Sequence, residues 1–157
     1  MFTTIVIGLG NVLMADEGVG VRVVERIGAE ADGFPGVTFL DAGTAGMAAL
    51  HALAGHRKAV FVDCALMGEP PGTLRRFTPA QAAGRGRPPG LSLHESDLFS
   101  ILELSRQLGE CPSEVVVFGI QPERIEPGPG LSEALAARLD QYVAAVRAEL
   151  GPPAGNG

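Results

Sequence analysis

Cysteine is too scarce here for several common designs. Cys64 and Cys111 are the only two in 157 residues, which excludes a disulfide framework and a four-cysteine zinc site. Positive charge is also thin: twelve Lys and Arg stand against eighteen Asp and Glu, for a net charge of −6. Basic residues come only in short pieces such as Arg75-Arg76 and Arg85-Gly86-Arg87, so neither nucleic acid nor an anionic membrane surface is an expected partner. No apolar run is longer than a strand, so no membrane insertion is expected. The first residues lack a basic n-region and an h-region with a cleavage site, so a cytoplasmic protein is expected. No G-x-x-x-x-G-K-S/T phosphate loop, no H-E-x-x-H zinc helix and no internal repeat is present.

What is there reads as a folded α/β chain. Apolar residues make up 46% and charged residues 19%, enough to bury a core. A continuous apolar run at 3–9 reads as a strand buried on both faces of a parallel sheet, and 37–41, 58–64 and 114–120 read as further strands. Residues 72–77 alternate polar and apolar, as in an edge strand or hairpin arm. Helical spacing follows from Glu17 through Val19, Val23, Val24 and Ile27, with Gly20 permitting close packing. A second helix is expected near Ala45–Ala54, and a long amphipathic one over Leu131–Leu150. Ser92-x-x-Glu95 is a capping-box pattern opening a helix whose inner face is Leu98, Ile101, Leu102, Ser105 and Leu108. Residues 82–90 read as loop and 151–157 as a frayed tail. The expected architecture is a three-layer sandwich, a mainly parallel twisted sheet with helices on both faces, in a single domain over 1–150. Functional residues should then lie beyond the carboxyl ends of the strands.

That rule gathers several acids. Glu17 or Asp16 follows the first strand, Asp41 ends the second and Asp63 ends the third. His94 shares a stripe with Leu98 and Ile101 at i, i+4, i+7, so it is expected to point inward near the same rim. Two carboxylates and an imidazole suit a first-row transition metal such as zinc, nickel or iron with open coordination positions. Plainer readings exist for each. Asp16 and Glu17 can cap a helix, Asp41 can form an Asx-turn or cap, and a histidine at a helix start is often structural. Asp63 is harder to dismiss, because an acid closing an apolar strand is costly to bury. His51 and His56 receive no role. A dinucleotide loop is disfavoured, since Leu13 stands where the third glycine of G-x-G-x-x-G belongs. A Cys64 nucleophile is disfavoured too, because strand neighbours alternate and Cys64 faces the core if Asp63 faces the site.

Five stretches, in order, resemble one known family. Gly8-x-Gly10-Asn11 with Asp16-Glu17-Gly18-x-Gly20-Val21 is similar to the opening signature of the maturation endopeptidases of nickel-iron (NiFe) hydrogenases. "DAGTAG" (41–46), "VDCALMGEPPGTLRRF" (62–77), "SLHESDL" (92–98) and "VFGIQPERIEPGPGLS" (117–132) resemble its later motifs. One departure is Ala42, where the family usually has glycine, and some relatives have aspartate at the position of Glu17. The resemblance, from about residue 3 to 149, implies an aspartyl-type peptidase that removes a C-terminal extension from the hydrogenase large-subunit precursor after nickel insertion. It also implies Glu17, Asp63 and His94 as catalytic and nickel-engaging residues, with Asp41 and the Gly43–Gly46 loop lining the cleft. The nickel would come with the substrate rather than as a resident cofactor. A water activated by the metal or a carboxylate is the simplest attacking group. A non-catalytic nickel checkpoint that binds the large subunit would use the same triad. Nothing in the residues signals an oligomeric state.

Overall fold

Five strands build one sheet: β1 (Thr4–Leu9), β2 (Val37–Gly43), β3 (Lys58–Cys64), β4 (Leu74–Phe77) and β5 (Glu114–Ile120). The computed structural model describes residues 3–84 and 98–151. The strand order is β2-β1-β3-β5-β4. Neighbours among β2, β1, β3 and β5 run parallel, and β4 pairs antiparallel with β5 at the edge. The strand is shorter than the expected 72–77 and does not alternate: adjacent Arg75 and Arg76 are both exposed at the edge. Six helices stand among the described residues: α1 (Val19–Gly28), α2 (Gly46–Leu53), α3 (Pro79–Gly84), α4 (Leu98–Gln107), α5 (Glu133–Ala136) and α6 (Leu139–Leu150).

β1, β3 and β5 are largely buried because both faces of the sheet are covered there, whereas the edge strands β2 and β4 are only partly buried. Val6, Val60, Val62, Cys64, Val116, Phe118 and Ile120 pack with α1, α5 and α6 in one core layer. Ile5, Ile7, Leu9, Ala59, Phe61 and Val117 pack with α2 and α4 in the other. This is the expected three-layer sandwich. At the base, Glu149 of α6 sits between Lys58 Nζ at 2.8 Å and Arg76 Nε at 2.6 Å, fastening α6 to β3 and β4. The Tyr142 hydroxyl donates to the Gly72 carbonyl at 2.7 Å.

Four local expectations need correcting. The helix over 131–150 is two helices, because the chain turns at Ala137–Arg138 and Arg138 adopts φ −107, ψ 4. Leu108 is 55% exposed; it lies just past the end of α4, where the apolar stripe leaves the sheet. Residues 82–84 belong to α3 rather than to a loop. A reciprocal capping box starts that helix: Gln81 N–H donates to Thr78 Oγ1, and Thr78 N–H donates to Gln81 Oε1, with Pro79 at the first helical position. Finally, β2 continues past Asp41 to Gly43. The Ser92–Glu95 capping box, residues 85–90 of the expected loop and the tail 152–157 lie outside the described residues.

The opening glycines have a packing role. Gly8 faces α1, and a Cβ there would lie 2.7 Å from the Gly20 carbonyl oxygen. A Cβ on Gly20 would lie 2.1 Å from the Val62 oxygen and 2.6 Å from the Leu9 oxygen. The first turn of α1 therefore rests directly on the backbone of β1 and β3. Gly28, in the same helix, has only the Phe39 side chain near its Cβ position, at 3.5 Å. Gly20→Ala is expected to cost about 3 kcal/mol through forced backbone movement, whereas Gly28→Ala should gain up to about 1 kcal/mol of helix propensity. Urea denaturation of both variants checks this, and equal effects would contradict the close-approach account.

Candidate active site

The carboxyl ends of the parallel strands form one rim, and the turn after β1 folds back over it. Gly10 makes the reversal possible: its φ is +133, and a Cβ would sit 2.0 Å from the Glu17 carbonyl oxygen. Residues Ala15–Gly18 then form a short 3-10 turn packed against β3, carrying Asp16 and Glu17. Glu17 is half-buried. Asp63 lies one residue before the end of β3 and is fully buried. By strand alternation it shares a face with Ala59 and Phe61 rather than with Cys64. Burial, followed by the charges of Asp63, Glu17 and Asp16, pushes the Cys64 thiol far above its ordinary range. The turn carrying Asp16 and Glu17 packs against β3, so these two acids and Asp63 lie on the same rim. The same effect keeps Cys64 protonated inside the core, which sets aside a cysteine nucleophile.

Asp16 does not cap the helical turn it sits in or α1 after it. Neither the 3-10 turn nor α1 has a side-chain cap hydrogen bond. Instead its buried carboxylate accepts three backbone N–H groups from the loop after β5: Glu123 and Arg124 on Oδ2, both at 2.9 Å, and Ser132 on Oδ1 at 2.7 Å. Backbone bonds reinforce this seam. Asp16 N–H donates to Arg124 O, Ala15 N–H to Gly128 O, and Gly128 N–H to Leu13 O. Ala15, with φ +50, is the one non-glycine residue at positive φ among those described. Asp16 thus holds the loop that carries Glu17 against the 121–132 loop. Sequence reading missed this because the donors are backbone groups more than a hundred residues away.

Asp41 is exposed on the same rim, opposite Gly8 in the β1–β2 register. It does not cap α2, whose N-cap Ala45 has no side-chain bond. Ala42 is buried inside β2, and the left-handed conformation falls on Gly43, φ +52. Alanine in place of the usual glycine is therefore accommodated as ordinary strand. Among the described residues no third His, Cys, Asp or Glu joins Glu17 and Asp63 in a group placed to hold a metal. His94 lies outside those residues.

A family model described as hydrogenase maturation protease matches residues 21–149. The chain belongs to the hydrogenase maturation protease family. The match spans Asp63 and His94 but begins after Glu17. The chain is 32% identical over 152 residues to the hydrogenase 2 maturation protease of Escherichia coli, covering 91% of this chain and 90% of that protein. It is 33% identical over 140 residues to the hydrogenase expression/formation protein HoxM of Cupriavidus necator, covering 88% and 69%. The solved structure of the E. coli hydrogenase maturating endopeptidase HybD superposes with a TM-score of 0.79 at 28% identity, covering 95% of this chain and 92% of that one. Asp16 is the residue that positions the turn carrying Glu17.

The environment of Asp16 also gives a pH signature. Burial alone would raise its carboxyl, but the N–H donors of Ser132, Arg124 and Glu123 outweigh that and hold it below the ordinary aspartate range. A depressed folded pKa adds stability above the unfolded value of about 3.9, and this is lost as pH falls through the folded value. Asp16→Asn keeps one acceptor and is expected to cost about 2–3 kcal/mol at pH 7. Its stability should also fall less steeply than wild type below about pH 4. Denaturant midpoints measured across pH check both, and parallel curves would contradict the clamp.

Proposed function

We propose that this hydrogenase maturation protease removes the C-terminal extension of a NiFe-hydrogenase large-subunit precursor once nickel is in place. The observation that carries the reading is the meeting of Glu17 and Asp63 on one rim in a chain of this family. Oxygen donors suit a divalent first-row metal, and His94 would supply the nitrogen ligand. In this reading the three residues engage the open positions of the precursor's nickel, which reports that the metal is present and sets the scissile bond against the site. The nickel arrives as part of the substrate, with no resident cofactor.

The attacking group is a water, and a rim carboxylate is the base that orients it. Asp41, exposed beside Gly43, lines the cleft where the C-terminal peptide passes. We place the reaction in the cytoplasm; among the described residues no helix is long and apolar enough to cross a membrane.

The test is to incubate the protein with its precursor, nickel-loaded and nickel-free, and weigh the products. Loss of the extension from the loaded form alone is expected. No mass loss from the loaded form would leave a binding checkpoint, and equal cleavage of both forms would remove nickel from recognition. His94→Ala is expected to abolish cleavage of the loaded form, and normal cutting would take histidine out of the mechanism.

A further inference from the structure

Six large apolar side chains stand well exposed among the described residues: Leu13, Met47, Leu66, Leu104, Leu108 and Ile125. Single exposed leucines are ordinary on any surface. Their distribution here is not scattered. Leu13 follows β1, Met47 lies in the first turn of α2 after β2, Leu66 follows β3, and Ile125 follows β5. Each of the four parallel strands thus leads into one exposed apolar residue at its carboxyl end, on the rim that holds Glu17 and Asp63. Leu104 lies in α4 and Leu108 just past its end.

Leu13, Leu66 and Ile125 sit on loops fastened to one another, and the segment before α2 is tied to them. Leu13 O accepts from Gly128 N–H at 2.9 Å, within the loop that carries Ile125. Met67, next to Leu66, donates its N–H to Gln121 Oε1 at 2.7 Å, at the other end of that loop. Gly10 N–H donates to Gly43 O at 2.9 Å, joining the Leu13 loop to the one before α2. Met47 also walls an apolar groove of about 340 Å³ between α2 and α4, with Leu50, Ile101 and Leu104, so the apolar surface continues away from the rim. Strands lie about 4.8 Å apart, so the exits of four adjacent strands span about 14 Å. Apolar side chains set along the rim that also carries the acids complement a protein surface that presents a cation within an apolar surround.

We propose that Leu13, Met47, Leu66 and Ile125 form a preorganised docking ring for the folded body of the protein substrate, rather than for its cleavable extension. This rests on the protease reading above and names the surface by which that site selects its substrate. The ring acts in binding and leaves the chemical step alone, so its loss raises KM and Kd without lowering kcat.

The experiment compares wild type with the triple variant Leu13→Ser, Met47→Ser, Ile125→Ser, and with Leu108→Ser as a control away from the rim. Cleavage kinetics are measured on the nickel-loaded precursor, and Kd is measured by calorimetry on the nickel-loaded large subunit made without its extension. The triple variant is expected to show KM and Kd raised about tenfold or more, with kcat and melting temperature near wild type and the control unchanged. Wild type that cleaves while the triple variant keeps its KM would overturn the docking ring and leave the protease reading standing. Wild type that cleaves the precursor but does not bind the extension-free subunit would assign recognition to the extension and equally overturn it. If wild type cleaves nothing, the protease reading fails for that substrate and the ring falls with it.

Discussion

The contact on which the site depends is the bare approach of α1 to the sheet. Gly20 rests on the carbonyl oxygens of Val62 and Leu9 with no room for a methyl group, and Gly8 offers it a face without a side chain. Gly10 then reverses the chain so that the turn carrying Glu17 returns over the end of β3. A larger residue at any of these positions lifts the turn off the strand that carries Asp63. Two acids forty-six positions apart in sequence share one rim because three glycines let backbone touch backbone. The glycine-rich opening, which looks like a phosphate cradle, is a packing device.

The second constraint is the seam between this turn and the loop after β5. Asp16 spends its charge on three backbone N–H groups, and a charged acceptor in a buried position makes such bonds strong. Adjacent acids thereby take different tasks. Asp16 is locked into the scaffold, and Glu17 stays half-buried beside Asp63 at the rim. The same seam aligns the loops bearing Leu13 and Ile125, so the site and the surface around it are ordered by one set of bonds.

Much of this was legible in the residues. Strands β3 and β5 have the predicted bounds because their interiors are unbroken apolar runs, and β4 takes the edge position, one of the two readings of 72–77, with Arg75 and Arg76 both exposed. The rim placement of Glu17, Asp41 and Asp63 followed from strand–helix alternation alone. The failures share a physical cause. Asp16 looked like a cap because its neighbours in sequence are helical, while its partners lie in a distant loop. The 131–150 helix looked continuous because Leu135, Tyr142, Val143 and Val146 hold helical spacing across a turn. The short helix α3 was readable in Thr78-Pro79-Ala80-Gln81, but the glycines and prolines after it drew that stretch into a loop.

The proposed function requires that Glu17 and Asp63 act as one unit on the substrate's metal. A double-mutant cycle with Glu17→Gln and Asp63→Asn, assayed as kcat/KM on nickel-loaded precursor, tests it most directly. Each single substitution is expected to lower kcat/KM by about a hundredfold or more, and the pair to cost about the same as either alone. Losses that multiply across the pair, in variants that remain folded, would show two independent residues and contradict the account.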